Sequence, residues 1–193
     1  MRACALSLAL LSWAVVAAAA EPERGFVDLY GGGGRLFESD EPGANFADHS
    51  LTAGVRLGVW LTPAWGLALR SWYYQSDAKI RDVEPSDLAF LGLALEASAR
   101  WPVGERWALY ASLGPMLAVT TLDLERNGQV EDARSLAPGV SAGLGVETRL
   151  HSHLRVFTEV QGSVAYPWFR FTDERLAPRL LNLYGLVGLR VPF

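Results

Sequence analysis

The stretch LGLALEASARW, residues 91–101, places an apolar side chain at every odd position from Leu91 to Trp101. The even positions between them hold glycine, alanine, serine and two charges, Glu96 and Arg100. Successive side chains of a β-strand point to opposite faces of its sheet. The stretch therefore predicts a strand with one aliphatic face and one face of small and charged residues.

The same alternation recurs along most of the chain, for example over residues 51–61 and 181–193, where only Leu186 breaks it. It predicts eight strands, each long enough to cross a bilayer at a tilt. They cover residues 25–34, 49–62, 65–75, 88–101, 106–122, 134–150, 153–166 and 180–193.

The composition favours a lipid environment for these strands. Half of the residues are hydrophobic, yet no apolar run after the N-terminal segment reaches the ~18 residues of a spanning helix. Only helices and closed barrels satisfy every backbone polar group in lipid. We therefore predict an all-β protein, a closed up-and-down antiparallel transmembrane β-barrel of about eight strands. A soluble lipocalin-type barrel would carry its apolar face inside, and the charges on the small-residue face disfavour it.

The N-terminal residues 1–20 have the features of a cleaved secretory signal peptide. Arg2 precedes an apolar stretch that ends in Ala18-Ala19-Ala20, a small-residue cleavage site. The mature domain is then residues 21–193, without cysteine and with a net charge of −5 once Arg2 is removed. That charge argues against nucleic acid as a partner.

The connections between the predicted strands alternate in length. Residues 62–64, 102–105 and 151–152 are tight turns, whereas residues 35–48, 76–87, 123–133 and 167–179 are longer and charged. Outer-membrane barrels have short periplasmic turns and long external loops. This predicts that the tight turns and both termini of the mature chain are periplasmic.

One hairpin has an internally testable register. Asn127-Gly128 favours a two-residue turn, so paired residues should have numbers that sum to 255. Leu117 then faces Pro138 and Leu109 faces Val146, all on the outward face. Because proline lacks the ladder donor, we expect a bulge or irregularity near Pro115 and Pro138.

Aromatic residues collect near the strand ends and predict two interfacial girdles. On the tight-turn side they are Trp60, Trp65, Trp101 and Trp107, and on the other side Trp72, Tyr73, Tyr74, Tyr166 and Trp168.

The inward face carries nine charged candidates for an ion-paired lumen. They are Asp28, Arg56, Arg70, Glu96, Glu147, Arg149, Arg155, Glu159 and Arg190. An eight-stranded barrel is just wide enough for side chains to fill, and an isolated charge there is costly. We expect Glu96 and Glu159 to pair with Arg56 and Arg70. The alternative is a narrow pore or small-ligand carrier in which these charges switch partners.

The C-terminal segment Gly188-Leu189-Arg190-Val191-Pro192-Phe193 resembles the terminal recognition signal of small eight-stranded outer-membrane proteins of the OmpA-like barrel superfamily. Gly188, Val191 and Phe193 match its glycine, hydrophobic and final aromatic positions. The resemblance implies a location in the outer membrane of a Gram-negative bacterium and a non-enzymatic, envelope-structural or surface-interaction role. The partners it implies are outer-membrane lipid, lipopolysaccharide and the barrel-assembly machinery, and it names no surface partner.

Lipid A deacylases and palmitoyltransferases share this architecture, so an enzyme is a further alternative. His151-Ser152-His153 lies in a tight turn on the periplasmic side, away from the outer-leaflet ester, and the Asp48 next to His49-Ser50 would diverge from them in a strand. We therefore predict no catalytic residue. Asp123, Glu125 and Asn127 resemble the start of a calcium loop, but Arg134 stands where a bidentate Glu is needed. We predict no metal site and no cofactor.

We predict that Phe193 directs assembly by the insertion machinery, because it ends an alternating strand and matches the family's terminal aromatic. Deletion of Phe193 should leave unassembled protein in the periplasm, seen as loss of heat-modifiable mobility on gels. Unchanged assembly after the deletion would contradict the assignment.

Overall fold

The computed structural model describes residues 24–37, 44–45, 49–80, 86–126, 129–170, 175–177 and 179–193. Its core is eight long strands, which we number in chain order. They are β1 (Gly25–Phe37), β2 (His49–Trp60), β3 (Trp65–Ile80), β4 (Ser86–Val103), β5 (Trp107–Arg126), β6 (Gln129–His151), β7 (Leu154–Ala165) and β8 (Leu180–Pro192). Three two-residue strands, Ala44–Asn45, Phe169–Arg170 and Arg175–Leu176, accompany them.

Each long strand pairs antiparallel with its neighbours in sequence, and β1 also pairs with β8 over twelve residue pairs, from Phe26↔Pro192 to Phe37↔Leu181. The ring of ladders is thereby closed, and the eight strands leave no free sheet edge. This confirms the predicted fold class. Among the described residues no helix is long and apolar enough to cross a membrane.

The alternation in sequence becomes the inner and outer faces of the wall. In β8 burial alternates at every position from Leu180 to Pro192. On the outer face, leucines such as Leu93 and Leu95 keep about half of their surface exposed, 48% and 57%. A barrel wall in contact with lipid requires apolar side chains that face outward around the whole ring.

The hairpin of β5 and β6 has the predicted register. Leu117 pairs with Pro138 and Leu109 with Val146, and the ladder continues to Arg126↔Gln129. The proposed tip, Asn127-Gly128, lies outside the described residues.

The expected irregularity occurs beside Pro115 only, and it is a gap without a register shift. The β4–β5 ladder omits the two pairs that Leu95 and Glu96 would make with Pro115 and Gly114. At Pro138 no bulge forms, and its carbonyl accepts a hydrogen bond from the Tyr166 N–H at 3.0 Å. The missing backbone N–H of each proline therefore does not shift the register of the strands.

Several strands extend beyond their predicted ends, so the predicted long connections 76–87 and 123–133 are partly wrong. The β3–β4 ladder reaches Ala78↔Ser86, and the β5–β6 ladder includes Asp123↔Asp132. Antiparallel partners satisfy each other's backbone groups even where the side chains are polar. The charged sequence therefore did not mark the end of pairing.

The girdle assignment is wrong for three of the nine aromatics. Trp72 and Tyr74 are 1% and 0% exposed and lie in the lumen. Trp60 faces the interior and packs on Phe26, with ring centroids 5.4 Å apart. All three occupy even positions, which the alternation had assigned to the inner face. The other six, Trp65, Tyr73, Trp101, Trp107, Tyr166 and Trp168, are about half exposed on the outside.

The interior has two layers, named here by the ends of the barrel. The short-turn end is formed by residues 61–64, 104–106 and 152–153, and the far end by the strand ends near Phe37 and Ile80. Toward the far end the lumen holds an aromatic layer in which Tyr74 stacks on Phe90 at 4.7 Å. Toward the short-turn end it holds charged side chains.

We predict that Gly114→Ala lowers the free energy of unfolding by about 1–3 kcal/mol, since overpacking in a close-packed interior costs about that much. A methyl group at Gly114 would overlap the Leu95 carbonyl oxygen, at the gap in the β4–β5 ladder. Gly185→Ala is the matched control, because its nearest neighbour is the Gly33 carbonyl oxygen at 4.0 Å. Urea unfolding in lipid vesicles, followed by tryptophan fluorescence, measures both. Equal effects of the two substitutions would contradict the close approach.

Candidate functional site: a charged layer across the lumen

The strand register places six charged residues in one row across neighbouring strands. The pairs are Arg149↔Arg155, Arg155↔Arg190, Arg190↔Asp28, Asp28↔Arg56 and Arg56↔Arg70. The row runs through β6, β7, β8, β1, β2 and β3 and contains five arginines and one aspartate. Like charges directly opposite each other on neighbouring strands are destabilising. The row therefore needs carboxylates from elsewhere in the barrel.

Asp28 supplies the first carboxylate, from within the row. Its Oδ1 accepts a hydrogen bond from Arg190 Nε at 2.7 Å, and its Oδ2 accepts one from Arg190 Nη2 at 2.9 Å. Arg56 Nε donates to the same Oδ2 at 2.7 Å, and Arg56 Nη2 lies 2.6 Å from it. Asp28 is completely buried, so two guanidinium groups replace the water that an exposed carboxylate would bind.

Glu159, on β7, binds two arginines of the row, Arg56 and Arg70. Its Oε1 accepts a hydrogen bond from Arg70 Nη2 at 2.5 Å, and its Oε2 accepts one from Arg56 Nη1 at 3.2 Å. The Tyr110 hydroxyl donates to the same Oε2 at 2.7 Å. In a ring of eight strands β3 and β7 lie opposite each other. The contact between Arg70 and Glu159 therefore spans the width of the lumen.

Glu96 and Glu147 complete the acidic set. Glu96 lies 3.0 Å from Arg70 Nε and accepts a hydrogen bond from the Ser141 hydroxyl at 3.0 Å. Glu147 accepts one from Arg155 Nη1 at 2.7 Å and a short one from Arg190 Nη1. The structure thus brings Arg56 and Arg70 together with Glu96 and Glu159.

Arg100 is a member that the sequence analysis omitted. Its Nη2 lies 2.6 Å from Glu147 Oε1, and its side chain is 19% exposed. Arg100 occupies an even position of β4, and the alternation of that strand assigns even positions to the inner face.

Arg149 is a correction in the other direction, because its side chain is exposed and no ion pair is recorded for it among the described residues. It pairs with the inward residue Arg155, so its parity holds up to the shift of register between Arg149 and His151. It lies at the end of β6, however, where an inward position is open to solvent.

Aromatic rings enclose the guanidinium groups. The Cζ atom of Arg190 lies 4.3 Å from the Phe26 ring centroid, and that of Arg56 lies 5.2 Å from the Tyr110 centroid. Arginine has a planar, weakly hydrated cation that both stacks on rings and forms forked hydrogen bonds, which lysine does not. The chain accordingly has 17 basic residues, of which only Lys79 is lysine.

The family model for the outer membrane protein beta-barrel domain matches residues 5–170. The chain belongs to this family. The closed ring of strands with an apolar exterior is the architecture that the match requires, and it places the protein in the outer membrane of a Gram-negative bacterium.

Two solved structures of outer-membrane proteins are similar to this barrel. The outer membrane protein OprG from Pseudomonas aeruginosa superimposes with a TM-score of 0.63 at 15% identity, over 91% of this chain and 99% of that one. Neisserial surface protein A (NspA) superimposes with a TM-score of 0.60 at 12% identity, over 88% of this chain and 97% of that one. No curated protein sequence matches the chain significantly. At these identities the likeness shows the fold alone.

The other candidate residues of this outer-membrane barrel lie at the short-turn end. The Ser152 hydroxyl is 3.1 Å from His151 Nδ1, and both residues are exposed in the turn. Phe193 lies at the seam between β1 and β8, where Gly25 and Phe193 exchange two main-chain hydrogen bonds of 2.8 Å. Gly188 is buried and Val191 is 45% exposed. Among the described residues no three acidic, histidine or cysteine side chains form a metal-binding group.

We predict that Arg70 and Glu96 are strongly coupled. Arg70→Met alone leaves Glu96 with Arg56 at 3.8 Å as its remaining cation, and breaking a buried pair in this way costs ~3–5 kcal/mol. The double variant Arg70→Met/Glu96→Gln should lose less than the sum of the two single variants by about 0.5–3 kcal/mol. Urea unfolding of all four proteins in vesicles measures this cycle. Additive losses would show that the two side chains act independently.

Proposed function

We propose that the protein is a non-enzymatic outer-membrane β-barrel with an envelope-structural or surface-interaction role, whose lumen is closed by its ion-paired side chains. The observation that carries the proposal is the set of contacts between strands that are not neighbours. Arg70 reaches Glu159 and also Gln161, whose Oε1 accepts a hydrogen bond from Arg70 Nη1 at 2.9 Å. Such contacts pass through the lumen, because the wall itself connects only adjacent strands.

The aromatic layer adds a second group of contacts across the lumen. The Tyr74 hydroxyl on β3 donates to Asn182 Oδ1 on β8 at 2.8 Å, and Asn182 is held in turn by its neighbour in the wall, since its Nδ2 donates to the Ser163 hydroxyl on β7 at 3.2 Å. Tyr74 also packs against Tyr184, with ring centroids 5.5 Å apart. Two layers of different chemistry thus brace the wall at different heights. A barrel braced in this way is a rigid support for the segments that connect its strands at either end.

The orientation and the partners of the barrel are part of this proposal. We place the short-turn end, with both termini of the mature chain, in the periplasm, because outer-membrane barrels have short periplasmic turns. Outer-membrane lipid and lipopolysaccharide then contact the apolar exterior, and the assembly machinery recognises the segment that ends at Phe193. A surface role agrees with the name of one structural neighbour, Neisserial surface protein A.

The proposal assigns no catalytic residue. Acyl hydrolysis by a serine needs a base that a third group orients. The hydroxyl of Ser152 meets His151, but within the described part of the chain no hydrogen bond links that histidine to a carboxylate. The pair also lies in an exposed turn.

We predict that the purified protein in planar bilayers gives no steady, large open-channel current, and at most rare flickering. The reason is that the charged layer and the aromatic layer both cross the lumen. A preparation left unfolded in urea before dilution is the control for leakage caused by the detergent. Steady channels that are absent from this control would refute the closed lumen and favour the narrow pore.

A further inference from the structure

A cavity of about 600 Å³ opens at the short-turn end of the lumen. Four of the residues that line it are arginines, namely Arg24, Arg100, Arg155 and Arg190, and none of its described lining residues is acidic. The remaining lining residues are Trp60, Leu61, Thr62, Pro63 and Pro192. We call this space the vestibule. Its volume lies within the range of about 300–1,000 Å³ that is usual for small-ligand sites.

The charged layer lies directly beneath the vestibule. Within the described residues it contains five arginines, at positions 56, 70, 100, 155 and 190, and four carboxylates, at positions 28, 96, 147 and 159. The three arginines nearest the opening, Arg100, Arg155 and Arg190, all contact the carboxylate of Glu147, and Arg190 also binds Asp28. These arginines line the vestibule whereas Glu147 does not, so the wall that a ligand would meet is cationic.

Arg100 is the group best placed to meet a ligand there. One of its nitrogens, Nη2, is engaged by Glu147, whereas its Nε is buried and makes no hydrogen bond within the described structure. Its guanidinium lies over the Trp60 ring at 5.7 Å from the centroid, and Arg190 lies over the same ring at 5.9 Å. The Glu147 contact and the Trp60 ring hold the guanidinium in place before any ligand arrives, so little entropy is lost on binding.

We propose that the vestibule binds the phosphate group of an anionic ligand. A phosphate has oxygens in several directions, and the arginines approach from four separate parts of the chain: the residue before β1, and strands β4, β7 and β8. Guanidinium forks match phosphate oxygens and form strong charge-assisted hydrogen bonds. A phosphate there would lie against a cationic wall. This site goes beyond the scaffold role, which does not require any ligand.

Two sources can supply that phosphate, and the apolar part of the wall does not decide between them. Leu61, which is 65% exposed, and the half-exposed Trp65 lie at the same end as the vestibule, so a phospholipid headgroup could reach it from the membrane. A soluble phosphate could enter through the open end. The experiment therefore uses two ligands, inorganic phosphate and the short-chain lipid dihexanoyl phosphatidylglycerol below its micelle concentration.

The folded chain in maltoside detergent is titrated calorimetrically with each ligand at constant ionic strength, balanced with sodium chloride. We expect saturable binding of at least one ligand. Arg100→Gln should weaken it about tenfold, as expected for the loss of a charge-assisted hydrogen bond. Saturable binding of inorganic phosphate identifies a site for the soluble group, and binding of the lipid alone identifies the headgroup. Dihexanoylglycerol, which has no phosphate, is the control for the acyl chains.

Arg35→Gln is the matched control variant, because Arg35 is an exposed arginine near the far end of β1. It removes the same charge from the barrel without touching the vestibule, so binding should be unchanged. Heat-modifiable mobility on gels shows that both variants are folded. Absence of saturable binding to the wild-type protein, or an equal effect of Arg100→Gln and Arg35→Gln, would refute the site.

Discussion

The contact of Glu159 with Arg56 and Arg70 is the interaction on which the interior of this barrel depends. The two arginines stand directly opposite each other on β2 and β3, so the backbone register alone would place two cations side by side in a space with little water. Glu159 approaches from the opposite wall and receives a hydrogen bond from each of them. Because that approach crosses the lumen, the same contact that neutralises the arginines also fills the barrel.

Charged residues in such a lumen need not make the fold more stable than an apolar filling would, since desolvation offsets much of the attraction within a buried pair. What they do provide is a penalty for incorrect register. A slip by one residue in β2 or β3 would turn Arg56 or Arg70 outward into lipid, where an arginine near the midplane costs ~2–4 kcal/mol, and would remove one of the two cations that bind Glu159. Leucines on the outer face favour the same register from the other side. The two faces of each strand thus specify a single arrangement together.

Much of this could be predicted from the sequence, because a period of two assigns each residue to a face and an Asn-Gly turn fixes a hairpin. The faces of β4 and the β5–β6 register follow from these rules. The errors have physical causes. Trp72 and Tyr74 were placed in a girdle by residue type, although their even positions place them in the lumen. The strands continue past their predicted ends because backbone pairing does not depend on apolar side chains. The partners of each carboxylate depend on distances across the lumen, which no local pattern contains, and Arg149 lies at the end of β6, where an inward position is exposed.

The two halves of the lumen fill a narrow interior in different ways, and this asymmetry explains where the arginines lie. Phe90 and Tyr74 of the aromatic layer are completely buried, and a charge buried there without a counter-charge would be costly. An arginine without a carboxylate of its own could not be accommodated in that layer. At the short-turn end the lumen opens into the vestibule, so the guanidinium of Arg100 stays partly exposed while Glu147 and the Trp60 ring hold it. Arg100 therefore lies at an open boundary of the charged layer, where solvent or an anion carried by it can approach.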